Sequence, residues 1–243
     1  MSKNFDVLLQ LQQDRTLFSV PPVTKTVSRG GRPANGKLSL RDPDGFAREE
    51  ILRLVHCLFL ATNGNASRRQ VVFCGIDEAD GSHLLSALVA RCLSEEVPSQ
   101  ICIVDANLRS PSPKPLLEEP DPEYDNTRKG HRRIAENLWL ASCDSLTANG
   151  GASTLDQMRV MIKDLRDEFE HVVINAPPVG LYSDAALLGQ NADGLVLVLE
   201  ANSTRRVAAR KAKLALEASN VLVLGTVLNN RTFPIPEKIY RLL

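Results

Sequence analysis

The sequence predicts an α/β fold: a mostly parallel, doubly wound sheet with helices on both faces. Three observations carry that expectation. First, Val172-Val173-Ile174 is a β-branched run that ends in Asn175 and meets Pro177-Pro178 shortly afterwards. An apolar run stopped by a breaker reads as a strand buried on both faces, because Pro cannot continue the ladder. Second, Val71–Gly75, Ile101–Asp105, Leu138–Ser142, Asp193–Glu200 and Val221–Leu228 have the same short apolar character. Third, helical patterns alternate with these strands over Gly81–Leu93, Thr154–Phe169 and Ser203–Ser219, and strand–helix alternation favours a parallel sheet.

The 243 residues suffice for one large α/β domain with a proper core. Hydrophobic residues make up 43% and charged residues 24%, an ordinary globular balance. The formal net charge is zero, so nothing global points to nucleic acid as a partner. The five cysteines (57, 74, 92, 102 and 143) form no CxxC pair, which argues against zinc or redox chemistry. Their mostly apolar surroundings fit reduced core thiols in a cytoplasmic protein. No apolar run approaches the roughly 20 residues that span a bilayer, and Met1–Asn4 is not followed by a signal-peptide apolar region.

Residues 1–45 read as an N-terminal arm and flexible linker. Phe5, Leu8, Leu9 and Leu11 form a weak apolar pattern, and residues 21–45 are rich in Pro and Gly. The folded domain is expected over 46–243. Its first helix, Arg48–Phe59, places Ile51, Leu52, Val55, Leu58 and Phe59 on a buried stripe, with Glu50, Arg53 and His56 at three-residue spacing on a neighbouring face. The strand Val71–Gly75, a short loop and a helix opening at Gly81 make the frame of a phosphate-binding loop. That chemistry needs glycines for backbone approach, a Lys for the β/γ-phosphates and a Ser or Thr hydroxyl for Mg²⁺. Here the frame holds Gly75 and Gly81, then Ser82 and His83, with Asp77, Glu78 and Asp80 adding negative charge where a polyphosphate would sit. Asp77-Glu78-Ala79-Asp80 spells a helicase box by chance, since it lacks both its own strand and an intact upstream loop. The Pro-rich, charged stretch 112–135, with basic residues from Arg128 to Arg133, reads as a solvated loop.

Several of these stretches together resemble the bacterial tyrosine autokinases of capsule and exopolysaccharide export, within the MinD/ParA-type class of P-loop proteins. The resemblance runs from about Glu49 to Leu243. The family strand apolar-Asp-x-Pro-Pro is matched at 172–178 with Asn175 in place of the Asp. The family motif Asp-x-Asp-x-Arg-x-Pro is matched by Asp105, Arg109 and Pro111, with Asn107 in place of the second acid. The loop ending Gly-Lys-Ser/Thr retains Gly81, while Ser82 replaces the Lys and His83 the metal-binding hydroxyl. The resemblance also implies an adenine-side role for Asn229 and a subunit-ring contact for Glu50, Arg53 and His56, the last standing where the family has Arg. Tyr240 is the only tyrosine near the C-terminal end, where the family carries a tyrosine-rich acceptor tail.

An amide neither accepts a proton nor offsets Mg²⁺ charge, and phosphoryl transfer rests on positioning and charge neutralisation. The expectation is therefore a catalytically degenerate relative that needs no cofactor. Its implied partners are a polysaccharide co-polymerase-type inner-membrane protein or an active kinase paralogue, in a homo- or hetero-oligomeric ring. The alternative is an active kinase or ATPase using ATP and Mg²⁺, with Asp105 and His83 serving the metal. A ParA-like positioning protein is a third reading, disfavoured by Pro177-Pro178.

Overall fold

The computed structural model describes residues 45–60, 69–107, 127–128, 131–142 and 154–230. The expectations for the N-terminal arm, for Arg109 and Pro111, for Cys143 and for the C-terminal segment with Tyr240 lie outside the described residues.

Helix α1, Gly45–Val55, continues into a π-helical turn, His56–Leu60. The chain then alternates: β1 (Gln70–Gly75), α2 (Ser82–Glu96), β2 (Ile101–Asp105), β3 (Thr127–Arg128), β4 (His131–Arg133), β5 (Leu138–Ser142), α3 (Thr154–Glu168), β6 (His171–Asn175), α4 (Asp184–Asn191), β7 (Gly194–Glu200), α5 (Arg206–Ala218) and β8 (Val223–Asn229). The strands form one eight-stranded sheet in the order β3-β4-β5-β2-β6-β1-β7-β8. All pairings from β5 to β8 are parallel, and β3–β4 and β4–β5 are antiparallel.

Successive strand residues feed opposite faces, and both faces are covered. Val71, Phe73, Ile101, Ile103, Val173, Val196 and Val198 pack with α1 and α2. Val72, Cys74, Cys102, Val104, Val172, Ile174, Leu195 and Leu197 pack with α3, α4 and α5. Burial on both sides is why the central strands read as unbroken apolar runs rather than alternating ones. Among the described residues, Cys74, Cys92 and Cys102 are buried and form no disulfide. Burial pushes the Cys92 thiol up to about 11, consistent with a core thiol.

The antiparallel hairpin corrects the expectation of a solvated loop across 112–135 at its C-terminal end. Thr127 pairs with Arg132 and Arg128 with His131 at the sheet edge. The β4–β5 ladder docks the hairpin, and Arg133 reinforces it. Its Nε donates to the carbonyls of Ala135 and Glu136, and its guanidinium lies 5.8 Å from the Trp139 ring centroid on β5.

At the amino-terminal end of the sheet, Asp193 ties three elements together. Its carboxylate accepts the Arg69 N–H at 2.7 Å and the Gln70 N–H at 2.9 Å, and pairs with the Arg166 guanidinium. Burial alone pushes the Asp193 pKa up, but these three donors outweigh it and hold the carboxyl below its ordinary value. No described helix is long and apolar enough to cross a membrane.

Candidate functional site

Parallel pairing in register brings the carboxyl ends of β1, β2, β6 and β7 to one edge, where open α/β sheets place their ligands. β2 and β6 pair so that Asp105 lies directly beside Asn175. The Asn175 side chain is buried, and its Nδ2 donates to Asp105 Oδ1 at 3.0 Å. The same carboxylate oxygen accepts the Asn107 N–H at 3.3 Å, and Ser82 Oγ stands 3.5 Å from Asn175 Oδ1. Four residues singled out from the sequence (Asp105, Asn107, Asn175 and Ser82) therefore form one linked constellation.

His83 sits at the surface beside this group. Its imidazole is nevertheless desolvated enough to hold its pKa below the ordinary value, against the opposing pull of the Asp105 carboxylate. Asp105 thus faces the Asn175 –NH2 donor rather than a second carboxylate. Among the described residues, no cluster of three His, Cys, Asp or Glu is arranged to hold a metal.

The loop from Gly75 to Gly81 is folded around a carboxylate of its own. Asp80 is 2% exposed. Its Oδ2 accepts the N–H groups of Ile76 at 2.6 Å and Asp77 at 2.8 Å, and its Oδ1 accepts the Glu200 N–H and the Thr204 hydroxyl, both at 3.0 Å. The Asp80 carbonyl in turn accepts Asn229 Nδ2 at 3.0 Å. This corrects the reading of three acids aimed at a phosphate position: Asp77 and Glu78 are exposed, whereas Asp80 is turned inward. The physical reason is the supply of donors, since one inward carboxylate satisfies backbone N–H groups at the ends of both β1 and β7.

Two glycines make this turn fit. A Cβ on Gly75 would stand 2.9 Å from the Asp80 Cβ, and Gly81 has φ +72° with its missing Cβ position 2.6 Å from Asn229 Nδ2. Asn229 thus lies buried against the loop, with its amide bonded there. After β6, Pro177 and Pro178 are buried and turn the chain back, so that Val179 and Gly180 N–H groups donate to the Gly75 and Ile76 carbonyls. The roles of Asp80 and Thr204 escaped the sequence reading. The available signal was Asp77 followed three residues later by Asp80, the spacing of a capping box at a helix start.

Glu50, Arg53 and His56 stand apart from this edge. Arg53 pairs with Glu50 at 2.5 Å, and His56 Nε2 lies 3.5 Å from Glu96 at the C-terminal end of α2. Burial raises the Glu50 pKa, with Arg53 opposing.

The fold defines the class first: a mostly parallel, doubly wound α/β domain whose strand ends carry the Asp105–Asn175 constellation. No family model matches the chain. Curated relatives do. The tyrosine-protein kinase CpsD of Streptococcus pneumoniae serotype 4 is 34% identical over 95 residues, 39% of this chain and 42% of that protein. The tyrosine-protein kinase YwqD of Bacillus subtilis is 36% identical over 63 residues, 26% of this chain and 27% of that protein. The match to these relatives thus spans less than half of their length. CapB of Staphylococcus aureus is 22% identical over 204 residues, 79% of this chain and 88% of that protein. Among solved structures, the chimerical protein CapA2B2 superposes with a TM-score of 0.63 at 17% identity, covering 78% of this chain and 87% of that one. The kinase domain of the Escherichia coli tyrosine kinase ETK superposes with a TM-score of 0.58 at 17% identity, covering 87% and 88%. These structures share the fold, and over part of its length the chain is similar in sequence to the tyrosine-protein kinases CpsD and YwqD.

Proposed function

We propose that this chain is a catalytically degenerate member of the bacterial tyrosine autokinase family and acts as a non-enzymatic partner in capsule or exopolysaccharide assembly. One observation carries the reading. At the strand end where the family's phosphoryl-transfer chemistry uses a second carboxylate, the Asn175 amide donates to Asp105. Ser82, His83 and Asn107 support it, because none supplies the charge that stabilises a transferring phosphoryl group. The chain would dock, at the cytoplasmic side, on a polysaccharide co-polymerase-type inner-membrane protein or beside an active kinase paralogue. Glu50, Arg53 and His56 are the proposed contact of a homo- or hetero-oligomeric ring.

The test is incubation of the full chain with Mg-ATP, followed by phosphotyrosine detection and thermal unfolding with and without nucleotide. The expected result is no phosphotyrosine and no shift, whereas a ligand at 100 times its Kd would stabilise by about 2.7 kcal/mol. Phosphotyrosine formation would instead favour an active kinase using ATP and Mg²⁺. The observation on that side is the imidazole of His83, held toward its neutral, ligating form next to Asp105.

A further inference from the structure

Helix α5 packs its inner side on the sheet through small contacts: Ala212 and Leu216 are its buried residues, with Ala208 and Ala209 partly covered. At 3.6 residues per turn, Val207, Leu214 and Ala218 project from the opposite side. Val207 is 80% exposed and Leu214 is 55% exposed. The solvent side of this helix thus carries an apolar ridge where a surface helix ordinarily carries polar groups. Arg210 and Lys211 flank the ridge on its two sides, and Arg205 and Arg206 extend the positive charge at the N-terminal end. All four cations are exposed. Among the described residues none of the four forms an ion pair; Lys213, further round the helix, pairs with Glu217.

We infer that the outer face of α5 is a docking surface for an anionic phospholipid bilayer. The whole chain has zero net charge, so the attraction is local to this helix. A convex apolar ridge bordered by unpaired Arg and Lys matches the acyl–headgroup boundary, into which aliphatic side chains insert while long basic side chains reach phosphate. With no described helix able to cross a bilayer, this contact is peripheral. It is independent of whether the chain transfers phosphate.

The test is co-sedimentation of the full chain with phosphatidylcholine vesicles, with and without phosphatidylglycerol, at low and high salt. Two double variants accompany it, Arg210→Glu with Lys211→Glu and Val207→Ser with Leu214→Ser, each verified as folded by circular dichroism. The expected result is binding only to the phosphatidylglycerol vesicles, reversed by salt, weakened about tenfold or more by the charge reversal and measurably by the serine pair. Equal binding to both vesicle types, no binding, or charge-reversed protein that binds as well as the parent would overturn the inference. Binding by an acidic protein domain with none to vesicles would assign the face to a protein partner and also overturn it.

Discussion

The Asn175 amide and the Asp105 carboxylate meet at 3.0 Å across two adjacent parallel strands. This is a neutral donor facing one charge, and it links the two strand ends. Asn175→Asp would replace the donor with a second carboxylate at that distance. The variant is expected to lose about 1–3 kcal/mol at neutral pH, the cost of an unsatisfied buried group, with part recovered as pH falls and one carboxyl takes up a proton. Urea unfolding across pH checks this. Unchanged stability at pH 7 would contradict the arrangement.

Asp80 satisfies three backbone N–H groups and one hydroxyl. Asp80→Ala is therefore expected to destabilise the domain by about 3 kcal/mol or more, since each orphaned buried donor costs about 1–3 kcal/mol. Thr204→Val, which removes one of the four donors, should cost about 1 kcal/mol. A double-mutant cycle in chemical denaturation should show the two changes to be non-additive, because they share a partner.

Gly81→Ala places a side chain at φ +72° and 2.6 Å from Asn229 Nδ2. The expected loss is about 1–3 kcal/mol from backbone strain and displacement of the Asn229 amide. Adding Asn229→Ala relieves the clash but not the strain, so the double variant should be more stable than the sum of the single changes predicts. Thermal melts of the four proteins measure it.

Acid sensitivity follows from Asp193. Its pKa in the folded protein lies below the ordinary aspartate value, so the folded state binds the proton less readily than the unfolded chain. The stabilisation is fully present above the unfolded value and is lost as pH falls through the folded one. Asp193→Asn should be less stable than the parent at pH 7, and the two should approach one another as pH falls through the folded-state value. Stability curves from pH 7 to pH 2 decide it.

The strands buried on both faces were legible because their residues carry the signal themselves: Val172–Ile174 and Ile101–Val104 leave little alternative to a central strand. The juxtaposition of Asp105 with Asn175 was legible only through resemblance, since pairing register is a property of two distant segments. The direction of Asp80 was signalled only by its three-residue spacing from Asp77. An acid among acids in a turn reads as exposed, and its inward rotamer depends on donors from Glu200 and Thr204, more than a hundred residues away. The edge hairpin was missed for a related reason: its strands are short and charged, and a single contact between Arg133 and Trp139 helps hold it against the sheet.

A phosphate loop ordinarily gains part of its order from the ligand it grips. Here the carboxylate of Asp80 supplies that anchoring from within, joined to β7 through Glu200 and to β8 through Asn229. On the non-enzymatic reading proposed above, the shape of this edge is the same whether phosphate donors in the cell are scarce or plentiful. A partner that recognises it meets a constitutive surface, and any timing of the encounter falls to the partner or to the supply of the chain itself.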